Sequence, residues 1–420
     1  MGESINHWDW EIKEKKIADI NEWRQKFSSV GELVVSPDGE RISAVIKTEN
    51  KEFTPCVNGK EWEEKFEKVW SLRFGPDGRL IGIVMNDDEW TVATEQETWK
   101  ESFEYVWNLQ ISQDGTNIAA NIKRDNQYGI ALNGISWENL FLEARNCVIS
   151  SDGKRVATCV QTKGLGEGDI FGYLEGVWTV AVDGIPWEKN FLNVWGIDFS
   201  SDNSKVAVEV RTDTCEYTIA VNGIPWKETF KCVWEPLFHH LRDEVIAPVQ
   251  TDKGWTIAAN GTLIWDRYFT QVWYQKISPE GKKIAAVVSP TFGRWTIAVN
   301  GVTWEKSFGD AVLSPIFSPD GSKVAAIVKD KNRWTIAVDG EPWNIDFDMV
   351  WDPIFSPDSS TIIAKGEKGG KFFIVKDGKL GKEVFDSLWN PIFSPDGKKI
   401  LVKGIKEGIY YRKVIPVDQI

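Results

Sequence analysis

The stretch Trp334–Asp358, WTIAVDGEPWNIDFDMVWDPIFSPD, contains most of the signals that predict the fold of this chain. Asp339-Gly340 suits a type I′ turn, the tight hairpin turn in which both central residues need positive φ. Ser-Pro-Asp-Gly, complete at Ser318–Gly321, suits a type I turn. The runs between these turns are rich in Val, Ile, Trp and Phe, which favour strands. One unit is therefore predicted to hold four strands in about 40 residues, the size of a propeller blade.

This unit recurs along almost the whole chain, at intervals of 37 to 40 residues with one gap of 50. Asn-Gly or Asp-Gly follows the third predicted strand in eight of the ten units. The sequence therefore predicts an all-β fold, a β-propeller of ten four-stranded blades over residues 23–420. The position of the Ser-Pro-Asp-Gly turn is occupied in turn by Ser36, Gly75, Ser112, Ser150, Ser200, His239, Ser278, Ser318, Ser356 and Ser394.

The two ends of the chain predict how the propeller is completed. The last unit supplies three strands and then stops, whereas Trp23 and Phe27 show the fourth-strand pattern with no strands before them. We therefore expect an N-terminal strand to complete the C-terminal blade and close a single ring, which leaves no sheet edge exposed. Two smaller propellers are the alternative. Residues 1–22 are predicted to form an N-terminal arm that could contain a short helix.

The 50-residue gap comes from an insertion over residues 163–176, KGLGEGDIFGYLEG, between the second and third strands of its blade. It is rich in glycine and also carries Asp169, Phe171 and Tyr173. Such a segment is either a tolerated loose loop or a contact surface. These three residues are candidates for binding a partner.

Two further places depart from the repeat. Trp8 and Trp10 lie in the arm, which is either a structural tether or a segment that docks on a partner. His239 and His240 replace the Ser-Pro of a turn, and neighbouring residues of a strand point to opposite faces. We expect these histidines in a solvated turn rather than in a joint metal site. All four residues are further candidates for partner contact.

Of the 23 tryptophans, 21 recur at fixed positions of the repeat, and the other two are Trp8 and Trp10 of the arm. Sugar binding or base stacking would use exposed aromatic rings. Repetition at fixed blade positions instead indicates packing between neighbouring blades, where large rings fill the space.

Composition and motifs argue against catalysis and cofactors. The chain has no Cys-x-x-Cys, no Gly-x-Ser-x-Gly and no P-loop, so we expect no enzyme activity, metal or cofactor. The aspartates of the Ser-Pro-Asp-Gly turns are expected to serve the turns rather than calcium. A formal net charge of −13 disfavours nucleic acid and anionic lipid as partners.

The same features bear on where the protein works. No run of 18 apolar residues is present, so no membrane insertion is expected, and the N-terminus lacks the apolar core of a signal peptide. Five cysteines without a regular pattern indicate a reducing compartment, which predicts the cytoplasm.

The motif Phe-Ser-Pro-Asp-Gly-Lys-Lys-Ile at Phe393–Ile400 resembles the WD40-like (PD40, TolB-type) propeller repeat. The Trp-Thr-Ile-Ala-Val-Asn/Asp-Gly hairpins at Trp295–Gly301 and Trp334–Gly340, with the Pro-Trp fourth strands, are similar to TmcD, the propeller subunit family of the Tmc transmembrane redox complexes of sulfate-reducing bacteria. This resemblance implies a cofactor-free propeller at the cytoplasmic face of the membrane. It also implies protein partners that carry haem and iron–sulfur clusters.

Two functions follow as hypotheses. The favoured one is a non-catalytic scaffold or interaction subunit of a membrane-associated electron-transfer complex. The alternative is a stand-alone propeller module that binds a small ligand or glycan. An exposed apolar patch on a face or rim would favour the scaffold, whereas a polar, aromatic-lined mouth of the propeller channel would favour the ligand module.

Overall fold

The computed structural model describes residues 4–420. Most of the regular secondary structure in this range consists of strands. Strand accounts for 53% and helix for 5% of the chain. Within the described residues the strands form ten sheets, arranged as a ten-bladed β-propeller. The predictions of an all-β fold and of ten blades are therefore confirmed.

The regular elements follow the repeat in chain order. The N-terminal segment comprises a 3₁₀-helix (Ser4–His7), β1 (Lys13–Asp19) and α1 (Ile20–Lys26). Blades 1 to 3 comprise β2 (Ser29–Val35), β3 (Ile42–Lys47), β4 (Phe53–Val57), β5 (Lys60–Glu61), β6 (Lys68–Phe74), β7 (Leu80–Asn86), β8 (Glu89–Thr94), β9 (Tyr105–Ile111), β10 (Ile118–Arg124), β11 (Gln127–Leu132) and β12 (Ile135–Ser136). Blades 4 to 6 comprise β13 (Glu143–Ile149), β14 (Val156–Gln161), α2 (Ile170–Glu175), β15 (Trp178–Val182), β16 (Ile185–Pro186), β17 (Asn193–Phe199), β18 (Val206–Asp213), β19 (Glu216–Val221), β20 (Ile224–Pro225), β21 (Cys232–Val233), β22 (Leu237–Phe238), β23 (Val245–Thr251), β24 (Gly254–Ala259) and β25 (Thr262–Leu263).

The remaining blades continue in the same order. Blades 7 and 8 comprise β26 (Gln271–Ile277), β27 (Ile284–Thr291), β28 (Arg294–Val299), β29 (Val302–Thr303), β30 (Ala311–Val312), β31 (Ile316–Phe317), β32 (Val324–Asp330), β33 (Arg333–Val338) and β34 (Glu341–Pro342). Blades 9 and 10 comprise β35 (Met349–Val350), β36 (Ile354–Phe355), β37 (Ile362–Lys368), β38 (Lys371–Lys376), β39 (Lys379–Leu380), β40 (Ser387–Leu388), β41 (Ile392–Phe393), β42 (Lys399–Lys406) and β43 (Ile409–Pro416), followed by a 3₁₀-helix (Val417–Gln419).

The chain divides into two compact units. One contains Gly75–Trp273, and therefore blades 3 to 6 with most of blade 2. The other contains the residues before Gly75 together with Tyr274–Ile420. Buried second and third strands form the core of each blade, with Ile, Val and Ala at most buried positions.

The two kinds of turn are held by side chains as well as by backbone conformation. In the first turn Ser36 Oγ donates to Asp38 Oδ1 at 2.5 Å and accepts from Arg41 N at 3.0 Å. The aspartate thus accepts hydrogen bonds from residues of its own turn. The same Ser–Asp bond forms at Ser112, Ser150, Ser200, Ser318, Ser356 and Ser394.

The hairpins require Asn or Asp for two reasons. Asp339 has a φ of 49°, as a type I′ turn needs, and its Oδ1 accepts a hydrogen bond from Val324 N at 2.9 Å. The turn thus also caps the start of the second strand, a role that sequence reasoning missed. The same contact is made by Asn58, Asn133, Asp183, Asn222, Asn260, Asn300 and Asp377.

The first strand of a blade is divided where a proline follows its centre and is continuous elsewhere. In blades 6, 8, 9 and 10 a proline follows the centre of this strand, and the strand is split into two pairs of residues. Proline has no N–H to donate and cannot continue the ladder there. The prolines are Pro236, Pro315, Pro353 and Pro391.

The fourth-strand tryptophans pack against the following blade, as the repeat predicts. A Cβ built at Gly134 in blade 3 would lie 2.9 Å from Cγ of Trp99 in blade 2. Only glycine therefore allows this ring to approach the hairpin. The same neighbours, with 3.0–3.5 Å between an added Cβ and the nearest tryptophan atom, are Trp23 and Gly59, Trp137 and Gly184, Trp187 and Gly223, Trp226 and Gly261, Trp304 and Gly340, and Trp343 and Gly378.

The N-terminal strand that pairs in blade 10 lies earlier in the chain than predicted, before α1 and not at Trp23 and Phe27. The strand that pairs with β43 in blade 10 is β1, antiparallel from Lys13 opposite Val414 to Asp19 opposite Ile409. Trp23 lies in α1 and not in a strand. It is 4% exposed and keeps the packing role of its equivalents.

Only the end of the arm is α-helical, from Ile20 onward, and the residues just before it form a strand. Pairing with β43 makes Lys13–Asp19 extended, because tertiary hydrogen bonds outweigh local preference in a charged segment. The Asp19 side chain then accepts from Asn21 N and caps α1. Residues 1–3 of the predicted arm lie outside the described residues. That the pairing of β1 closes a ring stays a prediction.

Arg412 on β43 joins this N-terminal segment and blade 1 to blade 10. Its side chain is fully buried. Nε donates to Asp38 O at 2.8 Å and lies 3.0 Å from Glu40 Oε1, while Nη2 donates to Asp9 O at 2.6 Å. A buried guanidinium with several acceptors in different segments is costly to remove.

Two more side chains of blade 10 contact the same turn. Tyr410 Oη donates to Gly39 O at 2.9 Å, and Lys403 Nζ donates to Pro37 O at 3.3 Å. Burial lowers the pKa of Lys403 to about 8, since the charged ammonium is removed from water. Side chains of blade 10 therefore bind the Ser36–Gly39 turn mainly through the backbone carbonyls of that turn.

Glu209, on β18 of blade 5, is a further buried ionisable group. It lies opposite Trp195 and Ile219, and it is 7% exposed. Burial, and secondarily the charge of Glu235, raise the pKa of Glu209 to about 8. Between its ordinary pKa and about pH 8, the folded protein holds a proton that the unfolded chain releases. Stability contributed by neutral Glu209 is therefore lost as the pH rises through this window.

The variant Glu209→Gln should consequently gain stability over the wild type as the pH rises. We expect the difference in free energy of unfolding to grow by roughly 4–5 kcal/mol between about pH 4 and pH 9, since the pKa is raised from 4.5 to about 8. Urea unfolding at both pH values measures it. The control Glu216→Gln, at an exposed position of β19, should show a constant difference. Parallel stability curves for Glu209→Gln and wild type would contradict this role for burial.

Candidate partner-binding surface

The insertion of residues 163–176 emerges from a firmly bonded base. Thr162 N donates to Val177 O at 2.9 Å, and Val177 N donates to Phe191 O at 3.0 Å. Val177 is 2% exposed. The insertion therefore leaves blade 4 from two strands that are themselves fixed in the core.

Within the insertion, Asp169 begins the helix α2. Its Oδ1 accepts a hydrogen bond from Gly172 N at 2.8 Å, the usual side-chain cap of a helix start. Tyr173 faces the neighbouring blade, where its Oη accepts from Arg211 Nη1 at 3.3 Å. Of the predicted contact residues, Asp169 and Tyr173 thus order the insertion. The loose-loop interpretation does not account for these bonds.

The outward side of the insertion is apolar. Phe171 is 83% exposed, Ile170 66%, Leu174 43% and Leu165 40%. No residue of α2 is buried. Ile170 and Leu174 are four residues apart and therefore share one face of the helix. We call these four residues the insertion surface.

Acidic residues surround the insertion surface. Glu167, Asp169 and Glu175 are exposed and are accompanied within the insertion by one basic residue, Lys163. Lys163 Nζ lies 3.8 Å from Glu175 Oε2. The apolar surface therefore has a rim of net negative charge.

This local charge belongs to a wider asymmetry. The unit Gly75–Trp273 contains 29 acidic and 16 basic residues, whereas the rest of the chain contains 33 of each. The entire formal charge of −13 therefore comes from the unit that carries the insertion. A field of this sign attracts basic partners and speeds their association.

Gly176 ends α2 with a φ of 89°, a conformation that favours glycine. A Cβ at this position would lie 2.8 Å from backbone atoms of Phe191. We expect Gly176→Ala to destabilise the insertion by about 1–3 kcal/mol, because strain and close contact act together. Hydrogen exchange of residues 163–177 measures this effect.

The matched control is Gly168→Ala. Gly168 has a φ of 75° but no atom within 4 Å of an added Cβ. It therefore carries the backbone strain without the clash, and its effect should be the smaller. Equal exchange rates in the two variants would contradict the importance of the contact with Phe191.

Trp8 and Trp10 lie together in the arm, with ring centroids 6.2 Å apart. Trp10 Nε1 donates to Ile5 O at 3.0 Å, and Lys399 Nζ donates to Trp10 O at 2.8 Å. Both rings are half-buried. These contacts attach the arm to blade 10 and support its interpretation as a tether; partner contact by these residues stays a prediction.

His239 is not in a solvated turn, so that expectation was wrong. Its side chain is 3% exposed, and its ring stacks on His240 with centroids 5.3 Å apart. Leu241 N and Arg242 Nε lie 3.1 Å from its two ring nitrogens. The turn places both rings on one side, whereas a regular strand would separate them. His240 is exposed, and its contact with a partner stays a prediction.

Among residues 4–420, no group of three or more His, Cys, Asp or Glu side chains is placed to hold a metal ion. In the same part of the chain, no helix has the length and apolar character needed to cross a membrane.

Fold and surface together define a β-propeller with an apolar, acid-rimmed insertion. Its neighbours among solved structures are WD40- and TolB-type propellers. A eukaryotic initiation factor matches at 13% identity and a TM-score of 0.49, over 78% of this chain and 90% of that chain. The Dos1 propeller matches at 10% identity and a TM-score of 0.35, over 96% and 95%. A TolB-type protein from Agrobacterium tumefaciens matches at 14% identity and a TM-score of 0.29, over 54% and 91%.

The sequence itself matches no protein-family profile and, at a significant level, no curated protein.

Proposed function

We propose that this protein is a non-catalytic propeller scaffold that binds a partner protein through the insertion surface. The exposure of Phe171, at 83%, is the observation that carries the proposal. A large aromatic ring on a capped and anchored helix is held in place for contact at little further cost in conformational entropy. Aromatic anchors of this kind dominate the energy of protein interfaces.

The acidic rim of the insertion surface and the negative charge of the unit Gly75–Trp273 indicate the chemistry of the partner. A basic segment with an apolar face would bury Phe171, Ile170 and Leu174 while its cations approach Glu167 and Glu175. An amphipathic helix bearing Lys or Arg has this chemistry. We propose a partner of this type.

The sequence resemblance supports a more specific setting. The hairpins at Trp295–Gly301 and Trp334–Gly340 resemble those of the Tmc propeller subunits. We therefore propose that the partners are haem and iron–sulfur subunits of a Tmc-type electron-transfer complex. The propeller would act there at the cytoplasmic face of the membrane and would hold no cofactor itself.

Affinity purification of the native protein from detergent-solubilised membranes tests this setting. Visible absorption of haem and identification of iron–sulfur subunits in the eluate are the expected result. A colourless protein that elutes alone, under conditions that keep other membrane complexes intact, would overturn it. A colourless eluate with another protein bound would keep the scaffold and reject the redox complex.

A further inference from the structure

Blade 3 has an aromatic pocket that the scaffold function does not use. A cavity of about 510 Å³ is lined by Glu104, Tyr105, Trp107, Lys123 and Tyr128. Its volume lies within the range of about 300–1,000 Å³ that is usual for small-molecule sites. All of these residues belong to one compact unit.

The sheet register brings these side chains together. Lys123 on β10 lies opposite Tyr105 on β9 and also opposite Tyr128 on β11. The three residues therefore lie side by side at the same end of three neighbouring strands. Trp107 is two positions along β9 from Tyr105, so both rings are on the same face.

The aromatic rings of the pocket contact one another, and two of them are nearly parallel. The centroids of Tyr105 and Trp107 are 5.7 Å apart with an interplanar angle of 28°, and Tyr128 meets Trp107 edge-on at 6.0 Å. Trp90 of blade 2 meets Tyr105 edge-on, with centroids 5.8 Å apart and an interplanar angle of 79°. Tyr105 remains 37% exposed.

This arrangement belongs to blade 3 and not to the repeat. Other blades also place an aromatic pair where Trp107 and Tyr128 lie, for example Trp195 with Tyr217. Tyr105 differs, because its position holds no aromatic residue in the other nine units. The equivalents are Ser29, Lys68, Glu143, Asn193, Cys232, Gln271, Ala311, Met349 and Ser387. Packing of the repeat therefore does not explain Tyr105.

The charges of the pocket select a neutral ligand. Lys123 Nζ and Glu104 Oε2 form an ion pair at 3.0 Å, so the pocket has no net charge of its own. The surrounding unit, with its formal charge of −13, repels anions such as phosphates. A cation would find no free carboxylate in the pocket, because Glu104 is already paired with Lys123. The paired groups can still exchange hydrogen bonds with hydroxyl groups.

We propose that this pocket binds a neutral sugar, with one pyranose ring stacked on Tyr105 and Trp107. The apolar C–H face of the sugar would cover the rings, and its hydroxyl groups would bond Glu104 and Lys123. This proposal is independent of the insertion surface, since it concerns other residues and another kind of ligand.

Saturation-transfer NMR with maltose, cellobiose and N,N′-diacetylchitobiose at millimolar concentration tests the proposal. Wild-type protein should saturate the protons of one sugar face for at least one of these probes. Tyr105→Ala should weaken binding at least about tenfold, because ring stacking is lost. Trp195→Ala is the matched control, since Trp195 has the position of Trp107 in blade 5 and should leave binding within about twofold of wild type.

Three results would overturn the proposal. One is the absence of transfer to all three disaccharides from wild-type protein. The second is unchanged binding by Tyr105→Ala, whose partly exposed side chain can be removed without opening the core. The third is equal weakening by Trp195→Ala and Tyr105→Ala, which would show a general effect of lost aromatic packing.

Discussion

Replacing Arg412 with methionine should raise the hydrogen-exchange rates of β1 and β43 about a hundredfold. Arg412 is fully buried, and its removal leaves the carbonyls of Asp9 and Asp38 without this donor. Loss of one partner from a buried charged network typically costs about 3 kcal/mol or more. At 1.4 kcal/mol per factor of ten, this cost corresponds to about two orders of magnitude in local opening.

The control for this prediction is Arg124→Met. Arg124 pairs with Glu101 at 2.7 Å, but both side chains are more than a third exposed. Exposed ion pairs contribute about 0.2–1 kcal/mol, so exchange in blade 3 should change only a few-fold. If exchange at residues 13–19 in Arg412→Met stayed within about threefold of wild type, the assigned role of Arg412 would be wrong.

The variant Phe171→Asp should lose at least about a hundredfold in affinity for the partner that co-purifies with the wild type. Burial of a phenylalanine side chain contributes about 1.5–3 kcal/mol, and the variant would also place a charge in an apolar contact. Folding should be unaffected, because this side chain is exposed. Titration of the purified partner by calorimetry measures the change.

Phe292→Asp is the matched control for that titration. Phe292 is 97% exposed, in the loop between β27 and β28 of blade 7. It tests whether any exposed phenylalanine has the same effect. Affinity within about twofold of wild type is expected for this variant. Equal losses in the two variants would remove the assignment of binding to the insertion surface.

Much of the fold could be predicted because the repeat depends on local chemistry. Ser-Pro-Asp-Gly and Asn/Asp-Gly specify turn conformations that few other residues adopt, so the blades and their order follow from the sequence. The N-terminal strand could not be placed in the same way. The residues that pair with it are 390 to 401 positions away, and a charged segment with loosely spaced Ile residues has no clear period. Trp23 misled the prediction because its packing role survives in a helix.

The candidate surfaces were predictable in part. The insertion was located by its length, and Phe171 was a candidate because it lies in this glycine-rich segment. The bond of Tyr173 to Arg211 and the burial of His239 depend on neighbouring chain segments that a single sequence does not bring together. Tyr105 could have been found by aligning the ten first strands with one another, since an aromatic residue occurs at that position in blade 3 alone.

Site-specific photo-crosslinking at position 171 tests the central claim most directly. A photoreactive phenylalanine analogue would replace Phe171 in cells of the source organism, with the same analogue at Phe292 as the control. The scaffold account predicts one defined adduct from position 171, with a protein that contains a basic amphipathic segment, and no such adduct from position 292. Absence of any adduct from position 171, or the same adducts from both positions, would contradict the account.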